Sequence, residues 1–504
     1  MFESAEIGHQ ISKKVYKERE LVLREALLGV QYELLRQARF PVLVLVNGVD
    51  GAGKGETVNL LNAWMDPRHI RTEAFGPESD EGPGHPEMAR FWTALPPKGH
   101  MGIFFGSWYT APILSHAMAG DKKARFLQRL EAIRHFERML VAEGVLLVKF
   151  WFHLSKAASR QRLKALEADP RTAWRVTPHD WSRLKHYDEF IPVCEQALRK
   201  TSTGEAPWLV IEGSDPAYRA LTAGQSLLEA TQKHLAGRPP SVHAAAPVPP
   251  APLDGRSLLD AFDYTRALKP KAYERELARL QGRLNGLTRD ARMAQRSVVL
   301  VFEGMDAAGK GSTIRRITGA LDARHYRVVP VAAPSEEERA QPYLWRFWRQ
   351  VPCHGHATLF DRSWYGRVLV ERVEGLCREA DWSRAYDEIN AFEEQLAQAG
   401  AVVVKFWMAI TPDEQLRRFE ERQTTPHKNY KITPDDWRNR EKWPLYTRAI
   451  GDMIDRTSTD VAPWHVVASN DKLWSRIEVL RQLCERLEQA LASTRRRKKA
   501  ATPT

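Results

Sequence analysis

The segment Gly304-Met305-Asp306-Ala307-Ala308-Gly309-Lys310-Gly311 sets two glycines and a lysine at the spacing G-x-x-x-x-G-K. It follows the β-branched run SVVLVFE from Ser297 and opens a helix-forming stretch. In that context backbone N–H groups converge on phosphate oxygens at the positive end of a helix dipole, and Lys310 supplies a mobile cation. The Ser or Thr usual after the lysine is replaced by Gly311, with Ser312 and Thr313 following, so the hydroxyl that would ligate Mg²⁺ is missing from its customary place. Asp306, inside the loop, can bind Mg²⁺ or accept a hydrogen bond from an incoming phosphate or hydroxyl. Its plainer role would be to accept from the amides of its own turn.

A second set follows the apolar strand Ala357 to Phe360, which ends in Asp361-Arg362-Ser363-Trp364-Tyr365-Gly366-Arg367 and reaches Glu371-Arg372. An aspartate ending such a strand is placed to hold Mg²⁺, and the arginines beside it can neutralise a phosphoryl group in transfer. Lys405 and its counterpart Lys149 are read as ending strands, where ligands gather in open α/β sheets. A basic helix carrying Arg418 and Arg422 comes next, followed by Lys428 and Lys431 and by a helix start with Thr433 as cap and Pro434 in the first turn. Two basic helices with a capped joint suit a lid that closes over phosphates. For each arginine there, an ion pair with a neighbouring glutamate is the alternative.

The elements that must position these groups occur twice. GVDGAGKGET from Gly48 recurs as GMDAAGKGST from Gly304, and the same offset aligns Ser107-Trp108-Tyr109 with Ser363-Trp364-Tyr365 and Lys149-Phe150-Trp151 with Lys405-Phe406-Trp407. Each half orders a helix, a β-branched strand, the glycine loop, a helix and further short apolar runs. That pattern predicts tandem α/β domains of three layers, each with a parallel sheet between helices. The boundaries read as a first domain over 1–236, a Pro/Ala-rich linker over 237–256, a second domain over 257–493 and a basic, disordered tail over 494–504. The N-terminal copy has lost the shell, with Phe105 for Asp361, Gly106 for Arg362, Ala111 for Arg367, Ser115 for Glu371 and His116 for Arg372. Chemistry is therefore expected in the C-terminal copy.

Bulk properties agree. At 504 residues the chain is too long for one core. It contains no apolar run of about 18 residues and opens without a signal-peptide pattern, so a cytoplasmic protein without a membrane partner is expected. Four scattered cysteines fit a reduced compartment, and Cys353, His354 and His356 lack a fourth zinc ligand. The net charge of +12 favours a polyanionic partner. Most of the sixteen tryptophans recur in both copies, as packing residues would, which argues against a nucleic-acid stacking surface. A homo-oligomer is compatible with all of this.

GMDAAGKG, FDRSWYGR followed by VERVEG, and PHKNYKITPDDW together resemble the polyphosphate kinase 2 family over nearly all of both halves. The resemblance implies a phosphate-loop kinase-like sandwich with a helical lid, a requirement for Mg²⁺ and, for two-domain members, conversion of AMP to ADP at the expense of inorganic polyphosphate. By the match Asp306, Lys310, Asp361, Arg362, Arg367, Glu371, Lys405, Arg418 and Arg422 inherit functional positions. Gly304, Ala307, Ala308, Gly309, Gly311 and Ser312 form the loop, Lys428 and Lys431 belong to the lid, and Asp306 and Asp361 hold the metal. The loop amides and Lys310 are then expected to hold nucleotide phosphates. Spacing alone does not separate AMP from ADP as acceptor. An ATP-dependent kinase, or a non-catalytic binder of polyanions, would use the same residues.

Overall fold

The computed structural model describes residues 1–76, 84–237, 258–426 and 429–501, except the side chains of Lys431 and of residues 493–501. It contains two compact units; the linker expected over 237–256 falls, from residue 238 on, outside the described residues. The first unit also takes Pro334–Trp345, and the second takes the segment ending at Ala89.

The first sheet holds β1 (Val42–Gly48), β2 (Ile70–Ala74), β3 (Met101–Phe105), β4 (Leu146–His153) and β5 (Trp208–Glu212), in the order β2-β3-β1-β4-β5. The second holds β6 (Val298–Gly304), β7 (Tyr326–Pro330), β8 (Ala357–Asp361), β9 (Val402–Ala409) and β10 (Trp464–Ala468), in the order β7-β8-β6-β9-β10. All pairings are parallel. The central strands are buried on both faces, which is why they read as continuous apolar runs. The edge strands β2 and β7 are half exposed, and their mixed sequences IRTEA and YRVVP gave no such run. In the second sheet Phe302 of β6 is in register with Asp361 of β8. The chain passes from one side of β6 to the other between β8 and β9, so the loops after β6 and β8 meet at the carboxyl edge, where open α/β sheets collect ligands.

Two expectations differ from the fold. Strand β9 continues to Ala409, which puts Lys405 mid-strand, and β4 continues past Lys149 to His153. The last helix runs Lys472–Ala501, so the segment read as a disordered tail is helical as far as Ala501; its arginines and lysines are good helix formers. No helix among the described residues is long and apolar enough to cross a membrane.

Candidate active site

Strand β6 ends at Gly304 with φ +154, where a β-carbon would stand 2.6 Å from the Met408 carbonyl oxygen, so only glycine lets the loop turn against β9. Gly309 caps the helix Lys310–Thr318 in the left-handed region. Lys310 Nζ donates to the carbonyls of Gly304 at 2.6 Å and Met305 at 3.4 Å. Burial, with the Arg362 guanidinium nearby, holds this ammonium below the usual lysine range. The hydroxyls of Ser312 and Thr313 turn back to Gly309 O at 2.9 and 3.2 Å. Gly311 faces Asp361 instead: a β-carbon on Gly311 would lie 3.5 Å from Asp361 Oδ2. The position that departs from the usual loop sequence thus stands beside the Asp361 carboxylate.

The Asp361 carboxylate carries no hydrogen bond or ion pair among the described residues and lines the cleft over the loop. Asp306 is held on all sides. Its Oδ1 takes Arg362 Nη2 at 2.7 Å, its Oδ2 takes Asn439 Nδ2 at 2.9 Å, and its carbonyl takes Gln415 Nε2 at 3.1 Å. Ala307 and Arg362 both adopt positive φ, +64 and +65, conformations that non-glycine residues rarely hold without such bracing.

The cleft over the loop has a volume of about 710 Å³ and is lined by Ala307 to Ser312, Asp361, Arg362, Arg315, Arg418, Arg422, Lys472 and Arg476, with Glu421 as the other acid. The side chains of Arg315 and Arg422 have no hydrogen bond or ion pair among the described residues. Arg418 differs. It is 2 % exposed, pairs with Glu414 at 2.6 Å and donates to the carbonyls of Ala307 at 2.9 Å, Ser469 at 2.5 Å and Asn470 at 2.9 Å, so it braces the loop from behind.

A smaller cavity of about 70 Å³ opens on the other side of Arg362, among Glu303, Asp306, Leu369, Val370, Trp407, Asn439 and Tyr446. The Trp407 indole N–H is buried and has no partner among the described residues. Buried Glu303 accepts from Ser363 at 2.8 Å, and its burial pushes its carboxyl above the usual range. Arg367 and Glu371 pair with each other at 3.2 Å and line neither cavity.

Lys405 is not in the site. Its side chain is fully buried and paired with Glu393 at 2.7 Å, and it donates to Tyr365 Oη at 2.8 Å and Thr457 O at 2.7 Å. Lys149 makes the same bonds to Glu137 and Thr201 O in the first unit, so the lysine is a packing element of both copies. The helices Pro412–Thr424 and Pro434–Glu441, expected as a lid, are present, with Thr433 and Asp436 as a capping box and Trp437 packed on Phe419. Gln415 and Asn439 bring both helices to Asp306. Lys428 lies outside the described residues, as does the side chain of Lys431.

The sequence reading missed Arg315, Lys472, Arg476, Glu303, Asn439 and Tyr446. One signal was available: Glu303 is Asn47 and Asn439 is Arg183 in the first copy, differences of the same kind as Phe105 for Asp361.

A model of the polyphosphate kinase 2 (PPK2) family matches residues 10–238 and again 267–495. A polyphosphate:AMP phosphotransferase of Pseudomonas aeruginosa is 56% identical over 495 residues, which cover 97% of this chain and 99% of that one. One of Acinetobacter johnsonii is 38% identical over 95% of this chain and 98% of its own. A crystal structure from Pseudomonas aeruginosa, described as a polyphosphate kinase 2, superposes with a TM-score of 0.89 at 53% identity, covering 98% of this chain and 99% of that one.

Proposed function

Because this chain belongs to the polyphosphate kinase 2 family, we propose that it transfers a phosphoryl group from inorganic polyphosphate to AMP, giving ADP, and that its C-terminal domain is the catalyst. The observation that carries the second part is the unpaired Asp361 at the mouth of a cleft whose cations Arg315 and Arg422 are also unpaired. A polyanion can take up those cations without breaking existing ion pairs. AMP as acceptor rests on full-length relatives that bear that name.

The two cavities divide the substrates. The basic cleft suits the polyphosphate chain, with loop amides and Lys310 on its terminal phosphates and Arg315, Arg422 and Arg476 along it. The smaller cavity, walled by Leu369, Val370, Trp407 and Tyr446, suits the base and ribose of the acceptor. This assigns the loop to the donor, in place of the nucleotide phosphates expected from the resemblance. Arg362 lines both cavities and so stands where the acceptor phosphate meets the donor.

Asp361 fits Mg²⁺, whose usual site is one or two carboxylates completed by substrate phosphates. Asp306 would contribute through the remaining lone pairs of oxygens that already accept from Arg362 and Asn439. The bound ion would neutralise phosphate charge and align the reacting oxygens. Lys310 and Arg362 stabilise charge on the transferring group, Arg418 holds the loop in shape, and the lid helices exclude water that would hydrolyse the donor. We place the protein in the cytoplasm, in keeping with its four free thiols. ADP formed from AMP, polyphosphate and Mg²⁺ without ATP tests the reaction; turnover with ATP alone would identify an ordinary nucleotide kinase instead.

A further inference from the structure

The first unit carries a cavity of about 390 Å³, within the range of small-molecule pockets. Every residue that lines the smaller C-terminal cavity has its counterpart, at the same offset, lining this one. The cavity has Gly106 where the smaller one has Arg362, and it is more apolar because Phe190 replaces Tyr446 and Phe105 joins its wall. Two buried polar groups on its wall have no partner among the described residues: the Trp151 indole N–H, on a residue 2 % exposed, and the Ser159 hydroxyl, on one 3 % exposed. Unpaired buried donors of this kind are costly unless a ligand takes them.

The phosphate side of the same unit is closed from within. Glu56 holds the position of Ser312, and its carboxylate binds Arg162 at 2.9 Å, Arg175 at 3.1 Å and Arg219 at 2.6 Å. Lys54 is paired with Asp50 at 3.2 Å, and Asp50 with Arg183 at 2.8 Å. A chain of phosphates would have to displace these internal carboxylates one after another.

We propose that the N-terminal domain is a non-catalytic nucleoside-binding domain, in which an aromatic base enters the cavity toward Trp151 and Ser159 and no polyphosphate is held at the loop. The proposal rests on reading the smaller C-terminal cavity as the place of the acceptor's nucleoside.

Equilibrium dialysis of adenosine against the full chain tests it. In Leu114→Trp, which fills the cavity from a partly exposed wall position, one adenosine site per chain is lost while AMP-to-ADP turnover stays within about twofold, since the C-terminal site is untouched. In Trp151→Phe, which removes the donor and keeps an aromatic ring, adenosine affinity at that site falls about fivefold, the worth of one hydrogen bond. The second variant decides the matter should Leu114→Trp fail to fold. Adenosine sites unchanged in number and affinity in both variants, or a wild-type chain that binds no adenosine, would overturn the proposal. A wild-type chain that binds adenosine at the site lost in Leu114→Trp yet makes no ADP would overturn the C-terminal reaction and leave this site standing.

Discussion

Arg219 Nη2 lies 2.6 Å from Glu56 Oε2, and its guanidinium fills the space beside Gly53, where a β-carbon would come within 2.1 Å of it. This carboxylate thus holds an arginine under the N-terminal loop. In the C-terminal loop Ser312 takes that place, and Arg315 and Arg422 remain available to a ligand.

If Glu56 is what closes the N-terminal loop, Glu56→Ser leaves Arg162, Arg175 and Arg219 without their counter-ion. The expected result is a second tripolyphosphate site per chain in equilibrium dialysis, beside the C-terminal one. A count that stays at one would show that the loop is closed by other means.

Lys405 acts on stability. Lys405→Met leaves Glu393 as an unpaired buried carboxylate, a loss of about 3 to 5 kcal/mol, which thermal unfolding will show as a lower Tm. Burial already pushes the Glu393 carboxyl up and the Lys405 ammonium down, so neither charge is held cheaply. Replacing both residues by apolar ones should recover much of the loss. A variant with normal Tm and no turnover would return Lys405 to the chemistry.

Arg315 and Arg422 touch the donor in this account. Arg315→Gln or Arg422→Gln should raise KM for polyphosphate about tenfold, flatten its salt dependence, and leave KM for AMP within about twofold. Equal changes in both KM values would contradict the division of the substrates between the two cavities.

No group of three or more acidic, histidine or cysteine side chains among the described residues could hold a metal by itself. In the proposed mechanism Mg²⁺ arrives with the phosphates. A chelator should abolish turnover while moving Tm by less than about 1 °C. A fall of many degrees would reveal a resident structural ion.

The loop, the central strands and the duplication were legible because each leaves a pattern in one stretch of chain: glycines before a helix, apolar runs, a fixed offset. Strands β2 and β7 were not, because an edge strand with one wet face has no apolar run. Lys405 misled because the end of β9 cannot be read from a run that continues through Phe406, Trp407 and Met408, and because its partner Glu393 comes from a helix that no spacing links to it. Arg315, Arg476 and Asn439 look like ordinary surface polar residues in sequence, and only the packing of their helices puts Arg315 and Arg476 on the basic cleft and Asn439 on the smaller cavity. Asp361 was named from its place at the end of an apolar strand, but its distinguishing property is the absence of a hydrogen-bond or ion-pair partner among the described residues, which no sequence displays.

The most direct measurement compares ADP formation from AMP, polyphosphate and Mg²⁺ in the wild type, Asp361→Asn and Lys54→Ala. Catalysis confined to the C-terminal domain predicts that Asp361→Asn lowers turnover by about a thousandfold or more, while Lys54→Ala stays within about threefold of wild type. Comparable losses in the two variants would contradict it.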